Sequence, residues 1–390
     1  MNYFTHLKTR YEKELEGNVI PFWTAHGIDR EYGGFFSYLE RDGAIYDTRK
    51  PLWMQWRAVY MFAALYNSPF RREEYLDAAV NGFDFLLKHG RTANGSYGFM
   101  LDRRGKMLQE KAGGAELFSD SFAAIAAAEL FIAAGDDRYE KESFRSLQSF
   151  LGNTAQNADA EWHLLAWPMI RLNVLDIMEK AFGKKIDGEM IRSCIEEVFT
   201  FRHPEKGIFP ENRRADGSFD LDSQTGRFCN PGHALEGMSF ILEILRKRKE
   251  SDPELVNRYL SGTLSCVERI FHFGWDQEQG GIYYFRDILD KPLEQKECML
   301  KAWWPQNEAA TAMLRAFEAS GDEKFLDLFE KIDGYSFLHL KDPQYPEWFA
   351  YAAVNGRQVH SYKASTWKGF FHLPRFLLNG IDICTRLEAK

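Results

Sequence analysis

Two histidines lie in apolar segments with helical spacing, where an imidazole could transfer protons near neutral pH. His233 follows Pro231 and Gly232 at a helix start, and the positive end of that helix is expected to lower its pKa and keep it neutral. His372 follows Phe370 and Phe371, and burial there also favours the neutral base. The pair predicts general acid–base catalysis.

Arg57 and Glu308 are charged residues on otherwise apolar helical segments, so each needs a partner. The partner of Arg57 is either negative charge that develops on a substrate or an inward carboxylate such as Glu308. Glu308 itself follows two tryptophans. It either orients a histidine or a substrate hydroxyl, or it pairs with Arg57 or Arg375. We predict catalytic roles for both residues, with the structural pairing as the alternative.

The segments that carry these residues alternate with short loops. Gly- and aromatic-rich stretches such as 29–36 and 279–284 are each soon followed by an Asp-Gly, Asn-Gly or similar turn, which is typical of β-hairpins. Between them, apolar residues recur at i, i+3, i+4 and i+7, which indicates helices. The predicted helices lie near 3–24, 52–67, 72–89, 117–134, 138–153, 161–182, 187–202, 231–249, 252–273, 301–319, 322–340 and 362–386.

The helices recur as pairs, which predicts a closed ring in which every second helix lines the inside. An open solenoid would have polar end helices, whereas the last predicted helix is strongly apolar. No linker-like stretch interrupts the chain, so we expect one domain spanning residues 1–390. The unusual polar residues fall on the even-numbered predicted helices, from the second to the twelfth. If these helices line the ring, their polar side chains meet inside it.

The chain resembles the N-acylglucosamine 2-epimerase family along essentially its whole length. The residues that carry this resemblance are short motifs in a specific order and spacing. They are 29–36 with 41–43, Trp53-x-Gln55-x-Arg57, 118–122, Asn230-Pro231-Gly232-His233, Lys301-x-Trp303-Trp304-Pro305-x-x-Glu308 and 367–375.

The resemblance implies an all-α (α/α)6 barrel with short β-hairpin loops at one mouth. It also implies an isomerase that inverts carbon 2 of an open-chain sugar, with a histidine removing one proton and returning another on the opposite face. The catalytic residues would be His372, His233, Arg57 and Glu308. The residues expected to bind the sugar are Trp53, Gln55, Trp303, Trp304, Arg375 and Lys368.

Departures from the family pattern bear on the substrate. The residue before the site arginine is Trp56 rather than the usual glycine, and position 306 is Gln where His is common. Cellobiose-specific relatives carry an additional histidine on the sixth helix, whereas Met169–Arg171 here include none. These differences favour interconversion of N-acylglucosamine and N-acylmannosamine, or of a closely related aldose.

Composition excludes several other classes. The net charge is −8, so nothing draws the chain to nucleic acid or to an anionic membrane. No signal peptide or membrane-spanning segment is expected, and five dispersed cysteines indicate reduced thiols in the cytoplasm. No metal-ligand spacing is found, so we predict a metal-independent enzyme without a required cofactor. A nucleotide effector and a homodimer are left open.

Three rival functions are also left open. An aldose–ketose isomerase on the same fold would return the proton to carbon 1. An inverting glycosidase would need two carboxylates across a cleft, for which Asp120 and Glu308 are the candidates. A non-catalytic binding protein would be inert toward free sugars. Fold by itself does not separate these functions.

Overall fold

Helices dominate the computed structural model, which describes residues 2–155 and 160–389. The α-helices are α1 Tyr3–Glu14, α2 Ile20–His26, α3 Leu52–Tyr66, α4 Glu73–His89, α5 Leu117–Ala134, α6 Asp137–Thr154, α7 Ala166–Phe182, α8 Gly188–Phe199, α9 Gln224–Arg227, α10 Pro231–Lys247, α11 Pro253–Gly274, α12 Trp303–Ser320, α13 Glu323–His339 and α14 His372–Glu388.

The helices form two concentric rings, as an (α/α)6 barrel requires. The inner ring consists of α3, α5, α7, α10, α12 and α14, and neighbouring inner helices pack on one another from α3 to α14. In α3 every residue except Ala64 is buried, because this helix is apolar on all sides. The outer helices, such as α11, bury an apolar face and expose the opposite face to solvent. The predicted all-α barrel is therefore confirmed.

The ring closes where the chain ends. Helix α14 packs on α1, while the segment before α14 fills the space beside α3. There Phe370 lies 4.8 Å from Phe62, measured between ring centroids. Gly369 allows this approach, since a Cβ at that position would stand 2.7 Å from the Met54 sulfur. The apolar end of the chain thus joins the last helix pair to the first.

Short antiparallel strands connect the loops at the end of the barrel where the inner helices begin. The strands are β1 Lys50–Pro51, β2 Met100–Leu101, β3 Met107–Gln109, β4 Trp162–Leu164, β5 Asn212–Arg214, β6 Phe228–Cys229, β7 Arg286–Asp287, β8 Leu300–Ala302 and β9 Tyr351–Ala353. Strands β1, β4, β6 and β8 each come just before an inner helix, and each pairs with a strand from the following loop. The resulting small sheets are β1-β2-β3, β4-β5, β6-β7 and β8-β9. The sheets fix the rim on which the site is built.

A buried lysine–aspartate pair recurs in these loops. Lys50 Nζ lies 3.0 Å from Asp29 Oδ2, and Lys301 Nζ lies 2.7 Å from Asp276 Oδ2. The same ammonium groups also donate to main-chain carbonyls, those of Gly33 for Lys50 and Val354 for Lys301. Because each buried charge has an opposite charge and further acceptors, the pair can be retained in the interior.

Several predicted helix boundaries are wrong. The first helix is interrupted by a π-helical turn at Leu15–Val19 before Pro21, which has no N–H to donate. The sixth helix begins at Ala166, because Trp162–Leu164 form a strand. The last helix begins at His372 rather than near 362, since the preceding residues join the loops and the ring closure. The other boundaries agree within a few residues.

Helix α5 is long and apolar enough by composition to cross a membrane. In this fold it is an inner helix, and Ser119 to Leu130 are all buried. Its apolar character is accounted for by packing on α3, α6 and α7.

Candidate active site

All six inner helices contribute side chains to one cavity of ≈ 200 Å³ at the centre of the barrel. This is smaller than the roughly 300–1,000 Å³ typical of sites for drug-sized ligands, so the cavity suits a monosaccharide. The lining side chains are Trp53, Arg57, Phe118, Phe122, Ala166, Met169, Ile170, Asn173, His233, Glu236, Tyr284, Trp304, Trp367, Phe371, His372 and Arg375.

His372 is held by a buried ionic cluster. Its Nδ1 lies 2.7 Å from Glu308 Oε1, and Arg375 donates to the same oxygen at 2.6 Å. Arg375 also donates to Glu236. The hydrogen bond through Nδ1 fixes the ring and leaves Nε2 as the nitrogen that can exchange a proton with a ligand.

The pKa of His372 is lowered well below its ordinary value. Burial is the main cause, and the positive charges of Arg57 and Arg375 act in the same direction. A neutral imidazole is therefore the resting form at neutral pH, as the sequence predicts. Such a group is a proton acceptor.

His233 has the opposite character. Its Nδ1 lies 2.9 Å from Glu211 Oε2. Burial lowers the pKa of His233, but the Glu211 carboxylate outweighs it through charge and hydrogen bonding, and the net shift is upward. The expectation that the helix end would lower the pKa of this histidine is wrong, because it considered the helix start and not the Glu211 carboxylate.

Trp304 packs against both histidines. Its ring centroid is 5.0 Å from that of His233 and 5.5 Å from that of His372, with interplanar angles of 36° and 33°. The indole thus provides one flat apolar surface beside both imidazoles. Both histidines line the same small cavity, so both can reach one bound molecule.

Arg57 reaches the cavity without a carboxylate partner. Its guanidinium carbon lies 4.2 Å from the Phe122 ring centroid and 4.6 Å from those of Trp53 and Phe371. Across residues 2–155 and 160–389 it makes no hydrogen bond or ion pair, and its Nε is buried and unpartnered. Burial lowers the pKa of Arg57 to about 9, so the cation persists at neutral pH. It is free to bind an anion, and the Arg57–Glu308 pairing does not form.

Four of the ten predicted site residues lie outside the cavity lining. Glu308 stands behind His372 and Arg375, so it is a positioning residue. Gln55 is fully buried and bonds to the main chain of Phe35. The structure thus corrects its assignment as a sugar-binding residue, because both ends of its amide are used by the hairpin.

Trp303 and Lys368 need the same correction. Trp303 is turned away from the cavity, with its ring edge-on to Tyr351 at 6.1 Å. One of two adjacent helical residues has to face away, and Trp304 takes the inward position. Lys368 is buried, and its Nζ donates to Glu347 Oε1 at 2.6 Å and to the Lys363 carbonyl at 2.9 Å. Both residues support the site from behind.

Sequence reasoning gave no role to several residues in and around the cavity. Glu236 lies in the cavity three residues after His233, on the same face of α10, and this helical spacing could have indicated a shared site. Glu211 follows a hairpin, and nothing in its spacing relates it to His233. Asn173 and Tyr284 also line the cavity and were given no role.

Within the described parts of the chain, one group of side chains has the spacing of metal ligands. One ligand atom each of Glu236, Glu308 and His372 lie within 4.8 Å of one another. Arg375 donates to both carboxylates and so supplies the positive charge that they require. A metal ion would have to displace this guanidinium, so the donor set fits a buried ion cluster better than a metal site.

Comparisons with known proteins identify the fold and the family. A model of the N-acylglucosamine 2-epimerase (GlcNAc 2-epimerase) family matches residues 34–374. The chain is 34% identical over 386 residues to the N-acylglucosamine 2-epimerase of Mus musculus, covering 95% of this chain and 90% of that protein. The Homo sapiens enzyme of the same name is also 34% identical, with 95% and 88% covered.

A solved structure has the same architecture. Cellobiose 2-epimerase from Bacillus thermoamylovorans B4167 superimposes with a TM-score of 0.82 at 18% identity, and the match covers 97% of this chain and 99% of that one. At this identity the likeness establishes the fold alone. The family match and the curated relatives add the activity class: the chain belongs to the N-acylglucosamine 2-epimerase family and is a sugar epimerase.

Proposed function

We propose that this enzyme interconverts N-acylglucosamine and N-acylmannosamine by moving the carbon-2 proton of the open-chain sugar. The observation that carries the proposal is the pair of histidines that line one cavity beside Trp304 and whose pKa values are shifted in opposite directions. Inversion of a carbon next to a carbonyl needs a base on one face and an acid on the other. The lowered pKa of His372 suits it to be the base, and the raised pKa of His233 suits it to be the acid.

The first step breaks the carbon–hydrogen bond. Neutral His372 takes the carbon-2 proton at Nε2, and the electron pair moves into the carbonyl at carbon 1, which becomes an enolate oxygen. Arg57 is the cation for that oxygen, because its guanidinium is buried, charged and not neutralised by any described carboxylate. A preorganised charge of this kind acts more on the transition state than on the ground state.

The second step forms a new carbon–hydrogen bond on the opposite face. Protonated His233 gives its proton to carbon 2, and the carbonyl is restored. The enzyme then holds His372 protonated and His233 neutral, which is the state required for the reverse direction. Exchange with water resets the pair, so one site serves both epimers.

Two carboxylates position the histidines without touching the reacting atoms. Glu308 fixes His372 through Nδ1, and Glu211 does the same for His233. Only Glu211 also raises the pKa of its histidine. The difference arises because Glu308 is shared with Arg375, whose positive charge offsets it, whereas Glu211 has no arginine hydrogen-bonded to it among the described residues.

The carboxylates do not favour a glycosidase. Asp120 accepts a hydrogen bond from the Tyr97 N–H at 3.3 Å and lies outside the cavity. Glu236 and Glu308 lie within 4.8 Å of each other and share Arg375, whereas an inverting glycosidase separates its carboxylates by about 6.5–9.5 Å. An epimerase needs no such pair.

The test is deuterium uptake at carbon 2. Incubation of N-acetylmannosamine with the enzyme in heavy water should label carbon 2 and yield N-acetylglucosamine. Formation of a ketose from mannose or glucose would instead identify an aldose–ketose isomerase. Release of a free sugar from a glycoside would identify a glycosidase, and inertness toward all of these would overturn the proposal.

We also propose that the reaction proceeds without a metal ion or other cofactor and takes place in the cytoplasm. His372, His233 and Arg57 account for every proton and charge in the two steps above. All five cysteines are free and four are buried, which suits a reducing compartment. A small free sugar is the only partner that the mechanism requires, and a homodimer is not needed to complete the cavity.

A further inference from the structure

The cavity has two unlike halves. Helices α3, α10, α12 and α14 supply the ionisable side chains described above. Helices α5 and α7 supply an apolar wall on the other side, formed by Phe118, Phe122, Met169 and Ile170. Neither Met169 nor Ile170 has a role in proton transfer, so this wall is available to contact another part of the substrate.

One polar side chain interrupts this wall. Asn173 lines the cavity on the same face of α7 as Ala166, Met169 and Ile170, at helical spacing. It is 7% exposed, and its amide makes no hydrogen bond within residues 2–155 and 160–389. Buried amides are normally paired, so an unpaired one that faces a cavity is complementary to a ligand.

The chemistry of the wall matches an acylamino group. A primary amide offers both a donor and an acceptor, and so does the secondary amide of an N-acyl substituent. The alkyl end of the acyl group is apolar and can be buried against methionine and isoleucine. A free ammonium at carbon 2 would lose its hydration against this wall. A hydroxyl is smaller than an acylamino group and would leave the space beside the wall largely empty.

We propose that Asn173 determines specificity for the N-acyl substituent. Its Oδ1 accepts a hydrogen bond from the acyl N–H, its Nδ2 donates to the acyl carbonyl, and Met169 and Ile170 pack against the alkyl group. The inference rests on the proposed carbon-2 chemistry. It adds the residues of this chain that recognise the acylamino group.

The position of Arg57 supports this placement. In the proposed mechanism Arg57 binds the carbon-1 oxygen, and its guanidinium packs on Phe122 of the apolar wall. The carbon-2 substituent neighbours carbon 1, so it lies within reach of the same wall. The charges of the Glu236–Arg375 cluster, by contrast, are already paired.

The test compares two substrates. For Asn173→Ala, kcat/KM for N-acetylmannosamine should fall about tenfold, the effect of losing hydrogen bonds to a neutral group. For mannose, which has a hydroxyl at carbon 2, the rate of carbon-2 exchange in heavy water should change less than about twofold on the same reasoning. Equal loss for both sugars, or no loss for either, would overturn the assignment. Asn307→Ala is the matched control, because Asn307 is a buried amide on an inner helix that does not line the cavity.

A second variant tests the apolar part independently. Met169→Ala makes room at the wall, so kcat/KM for an N-propanoyl substrate relative to the N-acetyl one should rise about tenfold, since one methylene in an apolar pocket is worth roughly that much. An unchanged preference would place the acyl group elsewhere. These results are distinct from failure of the proposed function: if native enzyme labels no sugar at carbon 2, the mechanism itself is overturned and the inference falls with it.

Discussion

Gln55 and Gln306 make the same hydrogen bonds at two different places in the barrel. Gln55 Oε1 accepts from the N–H of Phe35 at 2.8 Å, and its Nε2 donates to the Phe35 carbonyl at 2.8 Å. Gln306 does the same with Ile282, at 2.7 and 2.9 Å. Two residues further along each helix stand Arg57 and Glu308. The glutamines therefore lock each hairpin to the helix that carries a site residue.

We expect Gln55→Ala to lower stability more than it changes chemistry. The substitution leaves the buried N–H and carbonyl of Phe35 without partners, at roughly 1–3 kcal/mol each. The melting temperature should fall clearly, while the folded fraction at low temperature keeps a KM close to native. A large rise in KM without loss of stability would instead return Gln55 to the sugar-binding residues. Gln306→Ala is the parallel variant and should behave in the same way.

Replacement of either central histidine should abolish turnover in a folded protein. For His372→Asn and His233→Asn we expect kcat to fall by about 100- to 10,000-fold, the usual contribution of general acid–base catalysis. Circular dichroism should remain native. Each variant should still exchange the carbon-2 proton of one epimer in heavy water, because one of the two groups is intact. A near-native rate for either variant would remove that histidine from the mechanism.

Replacing Arg57 should lower activity, whereas replacing Arg375 should lower stability. Arg57→Ala should lower kcat by about 100- to 1,000-fold, as loss of a preorganised charge at a developing oxyanion does. Its stability should change little, because no described carboxylate is left alone. Arg57→Lys should restore little activity, since an ammonium lacks the planar two-pronged geometry.

Arg375→Ala leaves Glu236 and Glu308 buried without their common cation. We expect it to be destabilised by about 3–5 kcal/mol, the range for breaking a buried ion pair. Thermal unfolding of both variants checks the contrast. An Arg57→Ala protein that melts as early as Arg375→Ala yet turns over normally would refute the catalytic role of Arg57.

Glu211→Gln should change the pH profile. The carboxylate raises the pKa of His233, and the amide keeps an acceptor for Nδ1 without the charge. In the direction that uses His233 as the acid, activity falls as pH rises through this pKa, so the alkaline limb should move to lower pH. A pKa raised in the fold also means that the associated stability is present below the ordinary value of about 6.5 and is lost as pH rises through the folded value.

In the Glu211→Gln variant, the stability gained below about pH 6.5 from the raised pKa of His233 should disappear. Profiles of kcat/KM against pH, measured for each epimer separately, provide the readout. The acidic limb of the kcat/KM profile is set by His372, whose pKa is lowered. This limb should stay in place and serves as the internal control. Movement of both limbs together would mean that Glu211 acts on the whole site rather than on His233.

Chelation should leave activity unchanged. Arg375 already neutralises the Glu236–Glu308–His372 group, so a divalent ion has no charge to balance there. Enzyme dialysed against EDTA should retain its rate of carbon-2 exchange. Loss of activity that zinc or magnesium restores would contradict the cofactor-free mechanism.

Local pattern in the sequence determined the helices and hairpins. The spacing of apolar residues placed α5 at Leu117–Ala134, and Asp252 with Pro253 marked the start of α11. The charged residues on apolar helices pointed to the interior, because a buried charge is retained only with a partner. From such features, together with the resemblance to the epimerase family, the barrel and the residues His372, His233 and Arg57 could be predicted.

Only the tertiary structure decided which partners these residues have. Glu211 and His233 are 22 positions apart, and Glu308 and His372 are 64 apart, so no local spacing relates them. Trp303 and Trp304 are adjacent, and packing between α12 and its neighbours turned the second of them inward. A pKa depends on every charge within a few ångströms, which is why the sequence predicted two similar histidines and the fold shifts their pKa values in opposite directions.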